Sequence, residues 1–272
     1  GNSTLSISEI GRLRAPVVWR LSDMWMFAGA EHYTNEKRYL EGYKKTSRPE
    51  GESGPDINRE TFRRKRRHWK TPQHVICPSH WMSQQVEQSV LTQAWKTSVI
   101  PNTIDLAQWK PIDRKLARQA LNLPSDAEIV LFGAGGGLRH HHKGGDLLFE
   151  AIHHLSEQGP TWQKNRVLAI FGESGKTHQI GNISIVFLGR LEDQGLRAAY
   201  SASNLMVVPS RLDNFPSTAV EAQACGTPVV GFRIGGLPDI VRDGQTGLLS
   251  DPFDVKELAN AIHRILLAPE LE

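Results

Sequence analysis

Cysteine is scarce in this chain. Among 272 residues only Cys77 and Cys225 are cysteines, and each lies beside an apolar run. Small secreted domains held together by disulfides carry many more, so we predict two buried thiols in a protein of a reducing, cytoplasmic compartment. The sequence also has no run of about 20 apolar residues, the length that a membrane-spanning helix needs. The inner face of a membrane is the alternative location.

A large charge of one sign is absent as well. The formal net charge is +3, which is too small to indicate a nucleic-acid partner. Hydrophobic residues make up 39% of the chain and charged residues 22%, a composition that is usual for globular proteins. The length predicts about two domains.

Buried strands and helices alternate through the second half of the chain. Short apolar runs, many of them β-branched, are followed by segments of helical periodicity. Strict alternation of this kind predicts an α/β fold with a parallel, doubly wound sheet, whose ligands bind at the carboxyl ends of the strands. We expect six strands, near 128–133, 166–171, 183–188, 204–208, 228–232 and 247–249. We expect helices near 113–121, 145–157, 192–202, 216–225, 236–242 and 253–267.

The most informative stretch runs from Asn204 to Phe232. An apolar strand ends at Pro209, and a polar loop follows. Pro216 suits the first turn of a helix because its φ is fixed and it needs no N–H donor there. The free N–H groups at that helix end predict an anion site. Asp213 in the loop and Glu221 in the helix are eight positions apart, so two carboxylates can bracket a ligand whose phosphates rest on the helix end.

This stretch resembles the E-x7-E signature of retaining glycosyltransferases of the GT-B fold, family 4, and is closest to the branch that builds exopolysaccharides and lipid-linked glycans. Asp213 stands where the first Glu of the signature is usual. The resemblance implies that Glu221 holds the ribose hydroxyls of a nucleotide-sugar and that Asp213 lies near the donor sugar. Further donor contacts are expected from the loop and the helix start, at Asn214, Phe215, Ser217 and Thr218.

Glycine-rich loops follow the other strands of this half. In the loop from Gly133 to Gly145, which includes Gly136, the backbone can approach a ligand closely. The resemblance places Lys143 against the donor diphosphate and makes Arg139 the candidate for a second cation. After the next two strands, Gly172 is expected to face the donor cleft, and the turn of Gly189 and Arg190 is expected to meet the nucleotide base.

Two other interpretations of these loops fail. Gly172 and Gly175 lie too close together for a P-loop, and no helix follows them. The three consecutive histidines from His140 to His142 suggest a metal site, but neighbours on one loop rarely converge on one ion. We therefore expect neither a metal nor another cofactor, with the nucleotide-sugar acting as a substrate.

The first half resembles the same enzymes less completely. Strands are expected at Pro16–Leu21, Val75–Cys77 and Ser98–Ile100, and Asp23 matches a donor-facing loop of the relatives. The family His before it is replaced by Ser22, and four family cysteines are replaced by Glu31, Glu36, Tyr43 and Thr46. A hinge-like P-N-T-I-D segment places the domains at 1–108 and 109–272. With only three strands, the first Rossmann-like domain is expected to be incomplete, with an uncovered sheet edge, in a partial chain.

A basic run, Arg63 to Lys70, lies in the first half. Its length fits one helix, and Phe62 and Trp69 would share one face of that helix. A solvated helix is the favoured interpretation, and peripheral contact with a membrane surface is the alternative.

These features predict a retaining glycosyltransferase. It would move a sugar from a nucleoside-diphosphate donor to a glycan or lipid-linked glycan, by positioning and charge stabilisation and without a side-chain nucleophile. Two alternatives stay open. Ser22 and the incomplete first half would also suit a non-catalytic nucleotide-sugar-binding module. A nucleotide-sugar epimerase of the same fold is disfavoured, because its set of catalytic acids is not found.

Overall fold

The computed structural model describes residues 5–133, 138, 140–157 and 165–267. The chain forms two compact units, Gly1–Asn102 and Thr103–Glu272. The domain limits inferred from the sequence, 1–108 and 109–272, stay a prediction.

The first unit is built on a three-stranded parallel sheet of order β1-β2-β3. Its strands are β1 (Val18–Arg20), β2 (His74–Cys77) and β3 (Lys96–Val99). Its helices are α1 (Ile7–Ile10), α2 (Arg38–Glu41), α3 (Ile57–His68) and α4 (His80–Gln88). The three predicted strands are confirmed, although the third begins two residues earlier than expected. The strand β1 lies at a sheet edge, and Val18 on it is 57% exposed.

The second unit contains a seven-stranded sheet of order β10-β9-β8-β4-β5-β7-β6. Its strands are β4 (Glu128–Gly133), β5 (Arg166–Phe171), β6 (His178–Ile180), β7 (Ile183–Gly189), β8 (Leu205–Val208), β9 (Val229–Phe232) and β10 (Gly247–Ser250). Its helices are α5 (Arg114–Ala120), α6 (Gly145–Glu157), α7 (Asp193–Ala202), α8 (Ser217–Ala224) and α9 (Val255–Leu267).

Helices cover both faces of this sheet, as the alternation predicts. Apolar residues of α6 and α9 pack with one face of the strands, and those of α5, α7 and α8 pack with the other. The strands β4, β5, β8, β9 and β10 are almost entirely buried, which explains why each appears in the sequence as a continuous apolar run.

Two predictions about this unit were wrong. The sheet has a seventh strand, β6, which pairs antiparallel with β7. It has three residues and is mostly exposed, so it lacks the apolar run of a buried strand. The helix expected near 236–242 is a single 3-10 turn, Leu237–Asp239. Glycines precede this turn and Pro238 lies inside it, so a full α-helix is not favoured there.

Candidate active site

The loops that follow the parallel strands of the second unit meet at one edge of the sheet. Since β4, β5, β7, β8 and β9 all run in the same direction, their carboxyl ends lie together. Five segments come to this edge: 140–144, 172, 189–190, 209–218 and 235–239. They carry most of the residues that the sequence singled out.

Two predicted catalytic residues contact each other at this edge. Lys143 ends a 3-10 turn, His141–Lys143, and its Nζ lies 2.7 Å from Oδ2 of Asp213. Asp213 is 8% exposed, whereas the side chain of Lys143 is 34% exposed to solvent. The ammonium has three N–H groups, so an anion arriving from solvent can still accept hydrogen bonds from it.

The turn that carries Lys143 is fixed by close packing. Gly144 has φ +67°, and a Cβ on it would lie 1.9 Å from the carbonyl oxygen of Pro209. The backbone N–H of Arg211 donates to the His142 carbonyl at 2.8 Å. The Arg211 guanidinium donates to the His141 carbonyl at 3.1 Å and to both carboxylate oxygens of Asp146 at 2.6 and 2.5 Å. The hydrogen bonds from Arg211 to the Asp146 carboxylate lower the pKa of Asp146 and keep it ionised.

Gly144→Ala is therefore expected to displace the Lys143 turn without removing any functional group. The left-handed backbone alone costs about 1–2 kcal/mol for a non-glycine residue, and the clash with Pro209 adds to it. Gly244→Ala is the matched control, because Gly244 has φ +77° but nothing within 4 Å of its Cβ position. We expect G144A to lower diphosphate affinity at least about fivefold beyond G244A, equivalent to about 1 kcal/mol. Equal affinities by calorimetry would contradict this.

The backbone at Asp213 is held by two glycines. The N–H of Gly236 donates to the Asp213 carbonyl at 3.0 Å. Gly235 has φ +59°, and a Cβ there would lie 2.0 Å from the same carbonyl oxygen. Only glycine permits this approach, so the pair of glycines after β9 fixes the loop that carries Asp213.

Glu221 lies on α8, which begins at the same loop. Its Oε2 accepts a hydrogen bond from the Tyr200 hydroxyl at 2.7 Å, and its side chain is also hydrogen-bonded to Ser217. Burial raises the pKa of Glu221, and the two hydroxyl partners oppose that rise. Pro216 is the N-cap, with ψ 112°, and Ser217 is the first helical residue, so the predicted start of this helix was one residue early.

The remaining predicted donor-site residues are distributed as follows. The N–H of Gly172 donates to the Gly189 carbonyl at 2.8 Å, which joins the loops after β5 and β7. Arg190 and Ser217 are exposed, Phe215 and Thr218 are partly buried, and Asn214 is buried. Gly136 and Arg139 lie outside the described residues.

A sequence profile of the family described as Glycosyl transferases group 1 matches residues 113–272. This is more than half of the chain. The chain belongs to the group 1 glycosyltransferases. The predicted family is thereby confirmed.

Curated members of this family are similar to the chain. The D-inositol 3-phosphate glycosyltransferase of Thermobifida fusca is 37% identical over 186 residues, which are 64% of this chain and 42% of that protein. The enzyme of the same name from Actinosynnema mirum is 36% identical over 189 residues, or 65% of this chain and 45% of that protein. The chain thus spans less than half the length of these relatives.

Solved structures show the same fold. Sucrose-phosphate synthase from Thermosynechococcus elongatus matches with a TM-score of 0.64 at 30% identity, over 79% of this chain and 54% of that one. Anabaena Alr3699/HepE in complex with UDP-glucose matches with a TM-score of 0.66 at 24% identity, over 95% of this chain and 64% of that one. These neighbours are GT-B enzymes, so the predicted fold class is confirmed.

Asp23 of this group 1 family member lies in the first unit, in the loop after β1. Its Oδ2 lies 2.7 Å from Nδ1 of His32, and its Oδ1 accepts the Trp25 N–H at 2.9 Å. Ser22 is exposed, and its carbonyl accepts a hydrogen bond from the Tyr33 hydroxyl at 3.1 Å.

Lys65 anchors this loop from α3. Its Nζ donates to the carbonyls of Trp25, Ala28 at 3.1 Å and Gly29 at 2.6 Å, and it lies 3.9 Å from the centre of the Trp25 ring. Lys65 is 0% exposed. Burial lowers its pKa to about 7, against the opposing effect of Glu31.

The rest of the basic run lies on the surface. Five cations are exposed on and just after α3: Arg63, Arg64, Arg66, Arg67 and Lys70. They agree with the predicted solvated helix. The prediction was wrong for Lys65, which is buried. Within the part of the chain that the structure describes, no helix has the length and apolarity to cross a membrane. Among the same residues, no three His, Cys, Asp or Glu side chains are grouped to hold a metal ion.

Several site residues gave no sequence signal. Arg211 is a single cation in a polar loop, and Tyr200 belongs to the apolar face of a helix, so neither pattern indicates a role. Lys65 is the middle one of five consecutive cations, and charge patterning does not distinguish the one that points inward.

Proposed function

We propose that the second unit binds the nucleoside diphosphate of a nucleotide-sugar donor, and that the protein transfers the sugar with retention of configuration. The observation that carries this proposal is the contact between Lys143 and Asp213. These residues are 70 positions apart in sequence, yet they form a 2.7 Å pair at the carboxyl edge of the sheet. This edge is where doubly wound folds bind their ligands.

Each side chain has a role that its chemistry suits. Lys143, with Arg139 as the second cation, would neutralise the departing diphosphate, and the N–H groups of Ser217 and Thr218 at the start of α8 would donate hydrogen bonds to its anionic oxygens. Asp213 would orient the donor sugar while it holds the Lys143 ammonium. Positioned charges of this kind stabilise a developing anion without a covalent intermediate, so the proposed reaction uses no metal or other cofactor.

The backbone of the glycine loops would complete the donor site. Gly136 would let its loop lie close to the phosphates, and the joined turns at Gly172 and Gly189 would support the nucleotide base beside Arg190. Asn214 and Phe215 would line the donor-sugar side of the loop. Anabaena HepE was solved with UDP-glucose, so UDP is a reasonable first probe.

The choice of sugar acceptor is a property of the whole enzyme, and this chain spans less than half the length of its curated relatives. We propose a glycan or lipid-linked glycan, as the resemblance implies. The curated relatives are named for D-inositol 3-phosphate, a small phosphorylated polyol, which makes that class a second candidate. A transfer assay with both acceptor classes separates them. The exposed arginines of α3 would suit contact with an anionic membrane carrying a lipid-linked acceptor.

The ribose assignment of Glu221 supplies the direct test. Glu221→Gln removes the negative charge but keeps the size of the side chain, so the ribose hydroxyls lose a charged acceptor worth roughly 1.5–3 kcal/mol. We expect the affinity for UDP, or for ADP or GDP if one of these binds more tightly, to fall about ten- to a hundredfold. Inorganic diphosphate should bind as before, as measured by calorimetry.

Glu150→Gln is the control for this experiment. Glu150 is exposed on α6 and lies outside the loops of the site, so the same chemical change there should leave all affinities unaltered. Equal losses for nucleotide and diphosphate in E221Q would contradict the ribose assignment. If none of the three nucleotides bound the parent protein, the proposed function itself would be wrong.

A further inference from the structure

Tyr200 is a buried residue that the proposed mechanism does not yet use. It lies on α7 and is 0% exposed. Its ring packs edge-on against Phe171, with centroids 5.9 Å apart, and its centroid lies 6.1 Å from that of the tilted Trp109 ring. Its carbonyl accepts a hydrogen bond from the Thr227 hydroxyl at 2.7 Å. The ring and the backbone are therefore both fixed.

The hydroxyl of Tyr200 points at Glu221. The 2.7 Å hydrogen bond to Oε2 joins two helices, α7 and α8, that lie on the same face of the sheet. Burial and the neighbouring carboxylate raise the pKa of Tyr200 above its ordinary value. The hydroxyl is therefore protonated at neutral pH, and it donates its hydrogen to the carboxylate.

We propose that Tyr200 is a positioning residue that holds the Glu221 carboxylate in the orientation needed to accept both ribose hydroxyls of the nucleotide. A carboxylate has about four lone-pair sites. Tyr200 and Ser217 engage the carboxylate from within the protein, which leaves about two sites for the two vicinal hydroxyls of a ribose. This inference rests on the proposed function, because it takes Glu221 to be the ribose acceptor.

The test is Tyr200→Phe, which keeps the packed ring and removes only the hydroxyl. We expect UDP, or the tighter of ADP and GDP, to bind roughly five- to twentyfold more weakly at pH 7.5. This is less than the loss expected for E221Q, because the carboxylate keeps its charge and loses only the partner that orients it. The corresponding 2′,3′-dideoxynucleoside diphosphate should bind to the parent and the variant equally, because it lacks the hydroxyls that Glu221 accepts.

The pH dependence gives a second readout. Burial already raises the pKa of Glu221, and the Tyr200 hydrogen bond opposes this. Without that hydrogen bond the pKa rises further, so the carboxylate protonates at higher pH and loses acceptor capacity. The loss of affinity in Y200F should therefore grow as the pH falls from 8 to 5.5. A merely structural tyrosine would give a loss that does not change with pH.

Tyr39→Phe is the matched control. Tyr39 is also buried, at 3% exposure, and its hydroxyl donates to Gln85 at 2.6 Å within the first unit. Losing this hydroxyl should lower the melting temperature without changing nucleotide affinity. In the double variant Y200F/E221Q, the nucleotide affinity should fall no more than about twofold below that of E221Q alone, because coupled residues are not additive.

The outcomes separate this inference from the proposal on which it rests. If E221Q loses ribose-dependent affinity while Y200F binds like the parent at every pH, the positioning role of Tyr200 is wrong and the proposed function stands. Equal losses of the nucleotide and its dideoxy counterpart in Y200F would also overturn it. If E221Q binds the nucleotide as tightly as the parent protein does, the assignment of Glu221 to the ribose is wrong, and the role of Tyr200 falls with it.

Discussion

Lys143→Ala is expected to lower the affinity for a nucleoside diphosphate about ten- to a hundredfold, because a charge-assisted hydrogen bond worth roughly 1.5–3 kcal/mol is lost. Inorganic diphosphate should lose the same factor, since the ammonium is assigned to phosphate and not to ribose. In a transfer assay kcat/KM should fall at least as far, because negative charge on the leaving diphosphate grows in the transition state. Calorimetry and initial rates measure the two effects.

Removing Lys143 also leaves Asp213 without its cation. A fully buried pair broken in this way costs about 3–5 kcal/mol of stability. The Lys143 side chain is 34% exposed, so solvent screening reduces this cost to about 1 kcal/mol. The double variant Lys143→Met with Asp213→Asn removes both charges and should recover the melting temperature but not the diphosphate affinity. Full recovery of affinity in the double variant would remove Lys143 from the site.

Lys65→Met is expected to produce the largest loss of stability. Three backbone carbonyls in the loop after β1 lose their shared donor, at about 1–3 kcal/mol each. Methionine avoids the cost of burying a charge, which offsets part of this, and we expect a net loss of about 2–4 kcal/mol. Five of the seven tryptophans precede residue 103, so fluorescence during urea unfolding mainly reports the first unit.

A pH series strengthens this test. The pKa of folded Lys65 is lowered to about 7, below the 10.5 of the unfolded chain. Between these values the unfolded state binds more protons, so the contribution of Lys65 to stability rises as the pH rises from 7 to 9. This rise should be absent in K65M. Arg64→Met, one position earlier and exposed, is the control, and a K65M protein as stable as R64M would disprove the anchoring role.

The sheet and the residues chosen for the site could be anticipated because they leave strong local or family signals, whereas the contact between Lys143 and Asp213 was not predicted. A strand buried on both faces, such as β5, appears as an unbroken apolar run, and the E-x7-E resemblance selects Asp213 and Glu221 from many acidic residues. Lys143 could be chosen because it stands at the family position before Gly144. In each case either the local pattern or the family pattern fixes the residue.

The parts that the sequence did not predict depend on contacts between distant segments. Tyr200 meets Glu221 across 21 positions, and Lys65 meets Gly29 across 36. Helical periodicity indicates which face of α7 is buried but not which carboxylate its hydroxyl reaches. The edge strand β6 was missed for a different reason. A strand that buries little surface does not need apolar residues, so its sequence carries no strand pattern.

The network around Lys65 also bears on how the loop after β1 responds to oxidation. At two of the positions where the resemblance implies cysteines, Tyr43 donates a hydrogen bond to Glu31, and the Tyr43 hydroxyl accepts one from the Gly29 N–H at 2.8 Å. The two thiols present are buried elsewhere, and burial raises the pKa of Cys77 to about 12 and that of Cys225 to about 11. Thiolates are the form that oxidants and soft metals attack. The described hydrogen bonds that hold this loop therefore join oxygen and nitrogen atoms, and oxidation of a thiol cannot break them.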